Sequence, residues 1–165
     1  MSRLLLSLVL VFVAGCYTTF DPNAPVPAEK VQPQRANQIV VRTADGPEDA
    51  YRRLGQILVG RDYALATSDN VMLSLTTDWK QSTRSRLRVV AFVSESDTGA
   101  EITLKGQLKL QVNVGQALFG SAMAEDMPTP VEQGYRRGSP AGDSFAELEA
   151  IAQAYPEGQV SYTRK

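Results

Sequence analysis

The chain has one cysteine, Cys16, and no histidine. A deprotonated thiol is a strong nucleophile, so Cys16 is the residue best suited to covalent chemistry. Without histidine, the chain lacks the commonest general base and the commonest neutral metal ligand, and it cannot build a Ser-His-Asp or Cys-His arrangement. One cysteine also excludes a disulfide within the chain. These residue types argue against nucleophilic hydrolysis and leave Cys16 as a candidate for modification.

Cys16 follows a short hydrophobic segment at the N-terminus. Arg3 precedes an apolar run from Leu4 to Ala14 that is interrupted only by Ser7. This run is too short for a transmembrane helix, which needs about 20 residues. A positive charge, a short apolar stretch and small residues at its end are typical of a secretory signal. The sequence predicts that residues 1–15 are a cleaved signal peptide.

The residues at the expected cleavage site, Val13-Ala14-Gly15-Cys16, resemble the lipobox of bacterial lipoprotein precursors. This resemblance implies that Cys16 receives a diacylglyceryl group, that the signal is cleaved before it, and that its new amino terminus can be acylated. Such an anchor holds stably because each buried methylene contributes about 0.8 kcal/mol. A signal followed by a chance free cysteine is the alternative interpretation.

The same resemblance implies a location. In enterobacterial lipoproteins, an aspartate directly after the cysteine retains the protein at the inner membrane, and here that position is Tyr17. The expected location is therefore the outer membrane, with the protein facing the periplasm. In a host with a single membrane, the anchor would lie at the cell surface. Residues 16–38 contain four prolines, which favour extended backbone, so we expect a tether between the lipid and the domain.

Five cations are predicted on one face of a β-hairpin. Their alternate positions in two strands place them together: Arg84, Arg86, Arg88, Lys105 and Lys109. This face could bind a lipid phosphate, a wall carboxylate or an acidic partner protein. A solvated face that resists aggregation is the alternative. Val90 and Phe92 share the face, and we expect the C-terminal helix to cover them.

Acidic and aromatic residues give weaker indications of chemistry. Three carboxylate pairs are close in sequence, and such pairs can hydrolyse glycosidic bonds; they are Glu95/Asp97, Glu125-Asp126 and Glu147/Glu149. We expect these acids to be solvated, and we expect Trp79 to be an apolar plug at the end of the sheet. No phosphate-binding loop or metal-ligand spacing occurs. The sequence therefore predicts neither an enzyme nor a cofactor or metal site.

The hydrophobic periodicity predicts an α+β domain over residues 39–160. A strand near Ile39 precedes a helix that starts at Pro47 and ends at Gly60, with an apolar stripe at three- and four-residue spacing. Two short strands around residues 68–70 form a predicted hairpin. Residues 115–143 read as loop, and a C-terminal helix is expected at 144–155, with a capping box of Ser144 and Glu147.

The register of the long hairpin follows from alternating residues. Pairing Val93 with Ile102 also pairs Ala91 with Leu104 and Val89 with Gly106, so one face is apolar throughout. The predicted architecture is a curled antiparallel sheet packed on one helix, with a C-terminal helix, in the order β-α-β-β-β-β-α. This order resembles, by topology, the helix-grip domains of the lipoprotein C subunit of the outer-membrane barrel-assembly machine.

Two functional hypotheses follow. The first is a lipid-anchored interaction module, an accessory or scaffold subunit of a cell-envelope complex with an envelope protein as partner. The second is a carrier of a lipid or other small apolar ligand, since a sheet around a helix can leave a cavity. Small inward residues (Ala91, Ala100 and Gly106) favour the cavity, whereas the bulky Leu and Val side chains favour a filled core. The formal net charge of −1 gives no indication of nucleic-acid binding.

Overall fold

The computed structural model describes residues 35–111 and 127–164. The predicted signal peptide, Cys16 and nearly all of the tether lie outside these residues, as does the predicted Glu125-Asp126 pair. The helices are α1 (Pro47–Gly60) and α2 (Pro140–Gln153). The strands are β1 (Gln38–Thr43), β2 (Leu65–Asp69), β3 (Ser74–Thr77), β4 (Lys80–Gln81), β5 (Ser85–Ser96), β6 (Gly99–Leu110), β7 (Thr129–Pro130) and β8 (Gln159–Thr163).

The strands form one antiparallel sheet in the order β2-β3-β5-β6-β1-β8, with β4 paired to β5 and β7 paired to β6. Both helices contact β5 and β6. Their buried residues join the inward side chains of these strands in one hydrophobic core. The predicted α+β class with an antiparallel sheet is confirmed. Because both helices lie on one side, the sheet has an inner, helix-covered face and an outer face.

The long hairpin has the predicted register. Val93 pairs with Ile102, Ala91 with Leu104, and Val89 with Gly106. Alternation places these residues on the inner face, where all six are buried. Gly106 allows close packing there, because a Cβ would lie 2.6 Å from Leu148 Cδ1 and 2.9 Å from Val131 Cγ2. The one exception at the end of β6 is Leu110, which is exposed although its parity predicts an inward position.

The first helix follows the sequence closely. Gly46 is the N-cap, Pro47 occupies the first turn, and the helix ends at Gly60. Its stripe buries Ala50, Leu54 and Leu58, and Tyr51 and Ile57 pack against the edge of the same core.

The second helix begins earlier than its sequence predicts. Ser139 is the N-cap, and its Oγ accepts a hydrogen bond from Gly142 N at 3.1 Å. The predicted cap, Ser144, lies inside the helix and donates to the Pro140 carbonyl. The capping-box prediction is therefore wrong, because Pro140 already fixes a helical φ one turn earlier and Ser139 satisfies the free amide. The predicted apolar side (Phe145, Leu148, Ile151, Ala152 and Tyr155) is buried.

Three strands were not predicted. The short strand β4 pairs with β5 at Leu87 and Arg86. Strand β7 lies within the predicted loop and pairs with β6 at Gln107 and Leu108. Strand β8 follows α2 and pairs with β1 from Gln38↔Thr163 to Arg42↔Gln159. The sheet therefore continues past residue 160, and the order of elements ends in a strand. This strand covers the edge of β1 that β6 leaves unpaired.

Candidate functional site

A one-residue shift in strand register shapes the outer face. Thr76 of β3 pairs with Val90, whereas Lys80 of β4 pairs with Leu87, so one residue is inserted between the two strands. At the shift, the buried Thr77 Oγ1 accepts a hydrogen bond from Val89 N at 3.0 Å. A bulge of this kind reverses which side chains point inward downstream of it.

The shift places Trp79 on the outer face. The guanidinium carbon of Arg88 lies 4.6 Å from the centre of the indole ring, and Lys109 Nζ lies 5.1 Å from it. Both cations are outward residues of β5 and β6. The predicted role of Trp79 as an apolar plug is wrong, because the bulge turns its side chain away from the core and towards two cations. Cation–π contacts of this kind each contribute about 0.5–1 kcal/mol at exposed sites.

Four of the five predicted cations share the outer face. Arg86 lies directly opposite Lys109, and Lys105 lies opposite Val90. Like charges that face each other across strands destabilise a sheet. Arg84 differs from the other four, because it precedes β5 and lines a cleft of about 290 Å³ with Pro140 and Asp143. The structure thus brings together Arg86, Arg88, Lys105 and Lys109, and it places Arg84 beside the start of α2.

Four of these five cations have no ion-pair partner among the described residues. In the described ranges, no carboxylate forms an ion pair with Arg84, Arg86, Arg88 or Lys105. Arg88 Nε is buried and has no hydrogen-bond partner. By contrast, Arg42, which lies on the outer face of β1, is 3.0 Å from Glu101. Within residues 35–111 and 127–164, the charges of three cations of the central strands are thus not neutralised by a carboxylate: Arg86, Arg88 and Lys105.

Phe92 completes this surface. It is 45% exposed, and Lys105 Nζ lies 5.8 Å from the centre of its ring. The expectation that α2 covers Val90 and Phe92 is wrong, because α2 packs through Leu148 against Gly106 on the inner face. We call the set of Trp79, Arg86, Arg88, Phe92, Lys105 and Lys109 the basic-aromatic face.

A second polar cluster lies on the helix side of the sheet. Glu147 Oε1 is 3.5 Å from both Lys80 Nζ and Tyr63 Oη, and it is 3.7 Å from Arg61 Nη1. Lys80 also donates to the Arg61 carbonyl at 2.8 Å, and its ammonium lies over the Tyr63 ring. Burial, with the neighbouring Glu147 carboxylate, raises the pKa of Tyr63. These groups satisfy one another and join α2 to β4 and to the end of α1.

The two carboxylates of the predicted Glu147/Glu149 pair have different partners. Glu147 contacts Lys80, whereas Glu149 accepts a hydrogen bond from Tyr162 Oη at 2.9 Å. Asp45 has a similar structural role, since it accepts from Tyr155 Oη at 2.5 Å and pairs with Arg53 at 3.0 Å. Burial, followed by the hydrogen bond to the carboxylate, raises the pKa of Tyr155 and that of Tyr162 to about 12. These acids accept hydrogen bonds from tyrosines that sequence spacing did not connect with them.

Two further findings concern metal-ligand groups and membrane-spanning helices. Across 35–111 and 127–164, no three acidic, cysteine or histidine side chains come together as potential metal ligands. Neither helix within that part of the chain has the length and hydrophobicity needed to cross a bilayer.

No protein-family model matches the chain, and no curated protein does so either.

Proposed function

We propose that this protein is a lipid-anchored interaction module of the bacterial cell envelope, an accessory or scaffold subunit that contacts its partner through the basic-aromatic face. Its anchor is the predicted lipid on Cys16. Residues 16–38 connect that anchor to the domain, which faces the periplasm in a host with two membranes.

The observation that carries this proposal is a set of outward cations on the central strands that no described carboxylate neutralises. Arg86, Arg88 and Lys105 have no carboxylate partner in the described ranges, and two aromatic side chains lie among them. Interfaces are enriched in arginine and aromatic residues, and these residues contribute much of the binding energy. The face is therefore better suited to a complex than to isolation in solvent.

The packing supports this function over the carrier. The space beside Gly106 is filled by Leu148 and Val131, and Ala91 and Ala100 are fully buried. Small inward residues thus accompany close helix packing at these positions. Native mass spectrometry of the membrane-extracted protein tests the carrier directly, since a retained ligand of lipid size, in addition to covalent acyl chains, would support it.

Site-specific photo-cross-linking in the native envelope tests the interaction module. A photoreactive residue replaces Gln107, which lies opposite Arg88 on the outer face, and the matched control replaces the exposed Gln153 at the end of α2. We expect one discrete protein adduct from position 107 that is lost when Arg86→Gln and Arg88→Gln are combined. Equal adducts from both positions, or none from position 107, would contradict the proposal.

The anchor is tested separately. The substitution Cys16→Ser removes the thiol that the lipobox resemblance implies is acylated. We expect the variant to leave the membrane fraction, and we expect the wild-type mature mass to begin at an acylated Cys16. An unmodified cysteine in a membrane-free protein would remove the anchor from the proposal.

A further inference from the structure

We infer that the basic-aromatic face binds an extended acidic segment of a partner protein, with Arg86 and Arg88, the latter held against Trp79, as its main carboxylate contacts. This inference rests on the proposed function, and it adds the chemical class of the ligand.

The spacing of the cations fits an extended chain. Alternate residues of a strand lie about 7 Å apart, so Arg86 and Arg88 are separated by about that distance, and Lys105 and Lys109 by about twice it. An extended peptide with acids at alternate positions presents its carboxylates at the same interval. One such segment can therefore contact several of these cations without changing its backbone conformation.

The contacts of Trp79 restrict the kind of ligand. Arg88 and Lys109 lie over the indole ring, so this ring is occupied by cations and is not an open platform for a sugar. The stacked arrangement also restricts the motion of the Arg88 guanidinium, whose planar donors suit a carboxylate. A charge-assisted hydrogen bond is the interaction that this geometry favours.

The distribution of charge favours a peptide over an anionic membrane. The cations lie towards one end of the β5-β6 hairpin, whereas Glu95, Asp97 and Glu101 lie at or near its turn. A membrane surface approaching the whole outer face would also meet Glu101 on that face and Asp97 in the adjoining turn. A single segment can lie over the basic end alone, beside the exposed ring of Phe92.

Trp79 provides the test, because it is the only tryptophan in the chain. The full mature protein, in a non-ionic detergent, is titrated with a short peptide in which glutamate alternates with threonine. The same peptide with glutamine in place of glutamate is the uncharged control, and vesicles containing anionic phospholipid are the membrane probe. Isothermal titration calorimetry gives a second readout, since Arg88→Gln changes the surroundings of Trp79 directly.

We expect a saturable change in Trp79 fluorescence with the glutamate peptide and none with the glutamine peptide. Arg88→Gln and Arg86→Gln should each weaken binding, the former by about tenfold or more, as expected for loss of a hydrogen bond to a charged group. The matched control is Arg42→Gln, which removes an outer-face cation already paired with Glu101 and should leave binding unchanged.

Three results would overturn the inference: no response to the glutamate peptide, equal weakening by Arg88→Gln and Arg42→Gln, or a response to the vesicles alone. The last result would indicate a membrane surface as the ligand. A discrete cross-link from position 107 without peptide binding would overturn the acidic-segment inference and leave the proposed interaction module standing. Peptide binding without any cross-link would instead overturn only the proposed envelope complex.

Discussion

At the scale of single residues, charge and close packing occupy opposite faces of the same strands. On the outer face, Arg88 contacts Trp79, and one residue further along β5 the buried Val89 pairs with Gly106 on the inner face. Substitutions on the two faces should therefore have different effects. Outward residues should change binding, whereas inward residues should change the free energy of unfolding.

Gly106→Ala tests the inner face. A Cβ at this position would lie 2.6 Å from Leu148 Cδ1 and 2.9 Å from Val131 Cγ2, so at least one side chain must move. We expect the free energy of unfolding to fall by about 1–3 kcal/mol, as is typical of overpacking. Urea denaturation measures this change.

Gly55→Ala is the matched control. At this position in α1, the nearest side-chain atom to a new Cβ is 4.0 Å away. Alanine should stabilise the helix by up to about 1 kcal/mol. If both substitutions changed the free energy of unfolding in the same direction, the result would contradict the close contact between α2 and the sheet.

At the scale of elements, the register shift between β3 and β4 decides what the outer face contains. Downstream of the shift, Trp79 points outwards, and Lys80 points towards Glu147. Without the inserted residue these two side chains would exchange faces. An ammonium group would then replace the indole ring under Arg88.

Thr77→Val tests this shift. The substitution keeps the shape of the side chain but removes the hydroxyl that accepts from the buried Val89 amide. We expect a loss of about 1–3 kcal/mol in unfolding free energy, because a buried donor is left unsatisfied. Trp79 fluorescence should also change. Thr77→Ser retains the hydroxyl and should preserve the fluorescence, and a Thr77→Val protein as stable as wild type would contradict the role of this hydrogen bond.

The same shift marks the limit of prediction from sequence. Period-two alternation gave the β5-β6 register, and it gave a shared face for Arg86, Arg88, Lys105 and Lys109. It failed for Trp79, because the bulge depends on a hydrogen bond between Thr77 and Val89, which are on different strands. Local pattern could not reveal β8 either, since its residues gain their strand geometry by pairing with β1, far away in the chain.

The capping error has a local cause. Ser144 with Glu147 matches the capping-box spacing, yet Ser139 followed by Pro140 is an equally good start and allows an additional turn. The additional turn places Gly142 where a Cβ would lie 2.3 Å from the Arg136 carbonyl oxygen. Local contacts just before the helix therefore accompany the earlier of two acceptable caps.

At the scale of the whole molecule, three tyrosines connect distant elements through carboxylates. Tyr63 contacts Glu147, Tyr155 contacts Asp45, and Tyr162 contacts Glu149. Each contact joins α2, or the residues just after it, to another part of the fold. Ionisation of any of these tyrosines would place two negative charges together.

The molecule should consequently lose stability in alkali. The pKa of Tyr155 and that of Tyr162 are raised to about 12, above the ordinary value near 10. The stabilisation from their neutral forms is complete below about pH 10 and is lost as the pH rises from about 10 to about 12. Urea denaturation across this range should show decreasing unfolding free energy.

Tyr155→Phe provides the comparison. It should be less stable than wild type near neutral pH, because Asp45 loses a hydrogen bond, but its stability should fall less steeply above about pH 10. Tyr135→Phe, at a position that is 56% exposed, should follow the wild-type curve. Equal slopes for Tyr155→Phe and wild type would contradict this prediction.

The position of β1 between β6 and β8 also affects the order of folding. Its inner-face residue Ile39 pairs with Leu104 on one side and with Tyr162 on the other. In a chain that emerges from a ribosome or a translocation channel with its N-terminus first, the edge of β1 that pairs with β8 stays uncovered until residues 159–163 follow, even after β6 has paired with the other edge. Closing such a long loop is slow, because most of the chain must be ordered before the pairing forms. We therefore expect the sheet to be completed only after release, with β1 needing protection from other strands in the interval.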